Sequence, residues 1–210
     1  MKFFHKMEHK YGRYAIHNLM YYIIIMYGIG FVMMYMAPGF FQLYLSLDAE
    51  AILHGQVWRL ITFLFYPPTL SPFWIIFAVL MYYSLGQSLE AVWGAFRFNV
   101  FFFMGVLGII FAEFFVYFLT GWDMHLNTYY LTLSIFLAYA ATFPEEYFYI
   151  YFILAIKAKW LALFDGAYFI YGLVFGSPAT RVAIFMSLLN FVVYFAMSRG
   201  GKYNPKEIKR

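Results

Sequence analysis

Gly55-Gln56-Val57-Trp58-Arg59-Leu60-Ile61-Thr62-Phe63-Leu64-Phe65-Tyr66-Pro67 is followed, after one apolar run, by Leu89-Glu90-Ala91-Val92-Trp93-Gly94-Ala95-Phe96-Arg97-Phe98. In the first stretch an Arg stands beside a Trp. In the second a Glu and an Arg bracket a Trp-Gly corner. Both lie between strongly apolar segments, where charged side chains are costly and are kept for a structural or chemical purpose.

The surroundings explain why these charges stand out. The chain has 210 residues, of which 65% are hydrophobic and 11% charged, with 28 Phe and 21 Tyr. A soluble domain is about one quarter charged, and no single core of this size could hide so much apolar surface. The composition is that of a polytopic, all-α membrane protein whose first partner is the lipid bilayer. There are no cysteines, which excludes disulfides, zinc-thiolate sites and a cysteine nucleophile. No metal site or cofactor is expected.

The net charge of +4 gives no reason to expect a nucleic-acid partner, because most of it sits at the two ends. Lys2, Lys6, Lys10 and Arg13 precede the apolar region, and Arg199, Lys202, Lys206, Lys209 and Arg210 follow it. Such flanking charge holds both termini in the cytoplasm and requires an even number of spans. Hydropathy gives six, at 17–36, 72–88, 98–120, 127–143, 160–176 and 179–198. Pro38, Pro67-Pro68, Pro72, Gly121, Pro144 and Pro178 separate them. The run from His17 is long enough to span and ends in no small-residue cleavage site, so it is a retained first helix rather than a signal peptide. The expected organisation is a basic N-terminus at 1–16, a membrane domain at 17–198 and a basic tail at 199–210. The abrupt charged end of that tail leaves room for a further cytoplasmic module.

The segment 37–71 is apolar yet too often interrupted to span. Asp48 suits an N-cap and Gly55 a C′ position, framing a short helix near 49–54. Irregular backbone at membrane depth must be covered by protein or water, so this first outer loop is expected to be partly embedded. Small residues four apart (Ser134 and Ala138, Gly108 and Ala112, Ala162 and Gly166, Ala183 and Ser187) suit close helix packing.

With these features together, the chain resembles the rhomboid superfamily of intramembrane proteases and its inactive branch, which includes the derlins. The resemblance rests on Trp58-Arg59 in the first outer loop and on Glu90, Trp93, Gly94 and Arg97 at the corner after the second span. It implies a six-helix bundle with an embedded first loop. It also implies, for an active member, a nucleophilic Ser within Gly-x-Ser-Gly on the fourth helix and a His on the sixth. Here Ser134 occupies the nucleophile position, but Thr132 and Ile135 replace the two glycines. No His occurs after His125, so a base within reach of Ser134 is missing.

The resulting expectation is a pseudoprotease that binds transmembrane segments of client membrane proteins, in quality control, retention or extraction. The resemblance places the client groove between the second and fifth helices. Candidate lining residues are Trp74 and Phe77 on one side and Phe164, Tyr168, Phe169 and Tyr171 on the other. Two other readings stand beside it. One is an atypical protease using Ser134. The other is a small transporter or channel using the intramembrane carboxylates Glu113 and Asp165. An Arg59–Glu113 ion pair is expected to pin the outer loop, and Lys157, Lys159 and Trp160 are expected to sit at the headgroups. The similarity to uncharacterised bacterial rhomboid-like proteins places the chain in a bacterial cell membrane.

Overall fold

The structure, a computed structural model, describes residues 2–150 and 154–198. The basic tail at 199–210, with its expected cytoplasmic position, lies outside the described residues. The N-terminal segment is helical: α1 runs Lys2–Tyr11 and is followed by a 3-10 turn at Gly12–Tyr14. Then come α2 (Leu19–Met36), the short loop helices α3 (Pro38–Tyr44), α4 (Ala49–Leu53) and α5 (Arg59–Thr62), and a 3-10 turn at Phe63–Phe65. The second half consists of α6 (Pro72–Trp93), α7 (Ala95–Thr120), α8 (Tyr129–Thr142), α9 (Ala158–Phe175) and α10 (Pro178–Ser198).

Helices therefore occupy all six expected span positions. Among the described residues, however, only α2, α6, α7 and α9 are long and apolar enough to cross a membrane. At 14 residues α8 is about 21 Å long, short of the ~30 Å hydrocarbon core. In α10 residues 180–193 form a shorter apolar stretch. The chain is also not purely helical. Strands β1 (Tyr147–Ile150) and β2 (Leu154–Lys157) form an antiparallel hairpin with Tyr147 opposite Lys157 and Ile150 opposite Leu154. Aromatic and β-branched residues crowd this connector, as strands favour.

The short α8 is the axis of the bundle. It packs against α6, α7, α9 and α10, and Leu131, Thr132, Ser134, Ile135, Phe136, Ala138 and Ala140 are all buried. Of the small-residue faces, Ser134 with Ala138 and Ala183 with Ser187 are buried as expected. A Cβ on Gly166 would meet open space, so the Ala162–Gly166 face is not a packing seam. Gly105 and Gly108 of α7 lie against Asn190 and Met186 of α10, in reversed order, so the two helices run antiparallel. Near the start of α7, Glu8 of α1 binds Arg97 at 2.9 Å. The N-terminal segment and the end of α10 thus share one face of the bundle.

The outer loop packs as a layer along α2 and the far end of α7. Phe41, Leu47, Ala49, Ile52, Phe63 and Leu64 face inward, while Leu43, Leu53, Val57, Trp58 and Ile61 face out. A Cβ on Gly30 would collide with the Phe65 carbonyl, which explains a glycine in the middle of α2. This layer is the interrupted segment 37–71 of the sequence, packed here against the bundle.

The topology is testable because the native chain has no cysteine. In sealed vesicles an impermeant maleimide should label single cysteines at positions 10 and 146 as one class and at 122 as the other. Labelling of all three from one side would refute the arrangement.

Candidate functional site

The Trp-Gly corner is built from the backbone outward. Gly94 ends α6 and caps α7 at φ 82°, ψ 152°, a conformation strained for any side-chain-bearing residue. Trp93 is buried beside the ring of Phe101 at 5.5 Å. Glu90, one turn earlier, turns its carboxylate to the start of α2. It accepts the Asn18 N–H at 2.7 Å and the Leu19 N–H at 3.3 Å. Asn18, in a left-handed conformation, makes no side-chain cap of its own. Glu90 thus satisfies free amides at a helix N-terminus from another helix.

On the opposite face Arg59 is buried at 3% exposure. Its guanidinium donates to Gln56 Oε1 at 2.7 Å, to the Ser46 carbonyl at 2.9 Å and to the Leu43 carbonyl. The Asp48 carboxylate lies 4.0 Å away. Trp58 stays half exposed and donates its indole N–H to the Tyr44 carbonyl at 3.0 Å. The Trp-Arg pair therefore closes the outer loop upon itself, and the expected Arg59–Glu113 ion pair does not form.

Glu113, fully buried on α7, has another task. Its carboxylate accepts the N–H groups of Met124, His125 and Leu126 at 2.8, 3.0 and 2.9 Å. Glu113 lies seven residues before the end of α7, roughly 10 Å below it. The connector to α8 therefore dips into the bundle, and α8 begins already at depth. Next to it, Asp123 accepts the Ala49 N–H at 2.7 Å and the Glu50 N–H at 3.3 Å. Asp48 accepts the Ala51 N–H at 2.7 Å. Two carboxylates thus cap α4, and the loop layer is fastened to the α7–α8 connector. Asp48 is the N-cap read from the sequence, and Gly55 follows with φ +100°.

Ser134 is fully buried on α8. Its Oγ donates to the Leu131 carbonyl at 2.7 Å and receives the Asn190 amide of α10 at 3.4 Å. An amide cannot accept the proton that a serine nucleophile must lose. Among the described residues, no His, Lys, Asp or Glu is hydrogen-bonded to Ser134. Asn190 was the missed partner, and its only sequence signal was being the lone amide in an apolar helix. Two further polar bridges cross the bundle: Tyr82 of α6 binds Thr132, and Tyr27 of α2 binds Thr128. Such interhelical bonds are worth about 1 kcal/mol each in lipid.

The client-groove residues are only partly brought together. Phe164, Tyr168 and Tyr171 are exposed at 70%, 47% and 62%, and Trp74 at 41%. Phe77 is half-buried. Phe169 is a correction: it is 2% exposed and points into the bundle. The reason is helical periodicity, since positions 164, 168, 171 and 175 make one stripe and 165, 169 and 172 make another about 100° away. Both α6 and α9 pack on α8, but they barely touch each other. Lys157 and Lys159 both grip Glu145, at 2.6 and 2.5 Å, and pull its carboxyl down to about 2.

Removing the Arg59 side chain strands three acceptors and the neighbouring Asp48. Arg59→Ala should therefore cost on the order of 3 kcal/mol and lower the melting temperature in detergent. Arg59→Lys should recover little, because an ammonium cannot spread donors across the same fork. An unchanged melting temperature would show that the loop closes without this contact.

Comparison with curated proteins finds no match. Residues 17–199, nearly the whole chain, match the family described as eukaryotic integral membrane protein (DUF1751). The family's eukaryotic label runs against the bacterial cell membrane expected from the sequence. The apolar helices and this match agree on an integral membrane protein, and the chain belongs to the eukaryotic integral membrane protein family DUF1751.

Proposed function

We propose that this chain is a catalytically inactive, rhomboid-like protein of a eukaryotic membrane that binds transmembrane segments of other membrane proteins. The observation that carries the reading is the uncovered α9. Only 17% of α9 is buried, against 44% of the apolar stretch of α7. Its aromatic stripe faces away from the bundle beside an α6 that it hardly touches. A guest helix laid there would gain contact with Phe164, Tyr168 and Tyr171, whose rings and hydroxyls offer an irregular, adaptable surface. Retention, extraction or quality control of such guests is the class of role that fits. Both termini face the cytoplasm in this reading, supported by the basic N-terminus and by the face that the N-terminal segment shares with the end of α10.

Inactivity is supported by the Asn190 amide opposite Ser134 and by the absence of the flanking glycines. The chain should leave model transmembrane substrates uncut, and Ser134→Ala should change nothing in that assay. Cleavage abolished by Ser134→Ala would overturn this half of the reading.

Client binding is tested in native membranes with a photoreactive phenylalanine. Placed at Trp74 or Tyr168 it should capture the same set of membrane proteins, through peptides that map to their transmembrane segments. Placed at Phe103 on α7, which does not pack on α9, it should capture none of them. Identical, unselective labelling from all three positions would remove the case for a groove.

A further inference from the structure

Three carboxylates lie within the long helices, and two are held by backbone amides: Glu90 by two and Glu113 by three. The third, Asp165, is different. It lies on the bundle-side flank of α9, half-buried, seven residues or about 10 Å in from the first residue of that helix. Among the described residues it has neither a hydrogen bond nor an ion pair. Tyr82 of α6 is within its electrostatic range, but that hydroxyl is hydrogen-bonded to Thr132.

Among the described residues, no cation of the neighbouring elements is left to answer it. Lys157 and Lys159 are held by Glu145, and Arg181 donates to the Val174 carbonyl at the other end of α9. No cluster of three His, Cys, Asp or Glu that could hold a metal occurs among the described residues. A carboxylate at membrane depth is costly even on insertion scales, and such groups are normally paired. The open side between α6 and α9 is where a partner can come from.

We propose that Asp165 is the specificity determinant of the groove, and that the guests it selects are transmembrane segments carrying a Lys or Arg at the matching depth. This rests on the client-binding reading above and names the class of client. A basic residue buried in a guest helix has the same unmet need as Asp165. Bringing the two together relieves both, whereas an all-apolar guest leaves the carboxylate unpaired. The aromatic stripe would supply contact area, and the carboxylate the choice among guests.

The test uses the full chain in phosphatidylcholine vesicles, with the photoreactive residue at Tyr168. The guests are single-span Leu/Ala helices carrying Lys, Leu or Glu about 10 Å from the interface on the side of the chain's termini. The Lys guest should be captured about tenfold more efficiently than the Leu guest. That preference should vanish in Asp165→Asn, a neutral near-isostere that removes a buried charge and so leaves the fold intact. Asp165→Lys should prefer the Glu guest. Equal capture of the Lys and Leu guests, or a Lys preference that survives in Asp165→Asn, would overturn the assignment while leaving the groove in place. Failure to capture any guest at Tyr168 above the level at Phe103 would sink the groove and this inference together.

Discussion

The three hydrogen bonds into the Glu113 carboxylate are the constraint on which the rest of the structure depends. An irregular backbone cannot enter the bundle unless its amides find acceptors, because lipid offers none. One buried side chain meets that need for Met124, His125 and Leu126 together. The connector can then descend, α8 can be short, and its polar positions can meet neighbours at mid-bundle. From the same connector, Asp123 reaches out to cap α4, and the His125 ring meets the Leu47 carbonyl at 3.2 Å. The outer loop is thus held by a segment that is itself held by α7.

In the long helices, Glu90 and Glu113 serve as receptors for amides rather than as halves of ion pairs. Glu90 at one face joins α6 to the start of α2, and Glu113 at the other holds the connector that follows its own helix, both through backbone rather than charge. A buried ion pair must recover the desolvation of two ions, whereas an amide cluster asks for that of one. Surface pairs such as Arg97–Glu8, with both side chains exposed by 30% or more, contribute little by comparison. Against this pattern Asp165 stands out as the one carboxylate of a long helix with no such receptor role.

Much of this was legible in the sequence. Apolar runs between Pro and Gly placed the long helices to within a few residues, and Asp48 and Gly55 marked the ends of α4. The Trp93-Gly94 corner after the second span marked the turn between α6 and α7. What stayed hidden was the identity of partners. Glu113 and Arg59 are opposite charges on the same side of the bundle, so pairing them was the natural inference. Backbone amides carry no signature in sequence, and they were what Glu113 and Glu90 both found. Phe169 was misplaced because an aromatic-rich helix looks alike on every face until its packing is known. The strands at 147–150 and 154–157 were overlooked although Tyr, Phe and Ile crowd there, because the segment was read only as a connector between two spans.

The shortness of α8 bears on how the protein is made. A span of about 20 apolar residues can partition into a bilayer on its own, but 14 residues that include Thr132 and Ser134 are poorly equipped to do so. Its stable place is a proteinaceous one, walled by α6 and α7, which precede it in the chain, and by α9 and α10, which follow. When α8 leaves the ribosome, half of its cavity does not yet exist. For this segment, insertion and tertiary folding are a single event, completed only when α10 brings Asn190 to Ser134. The centre of the bundle is therefore the last part of the protein to become a membrane structure.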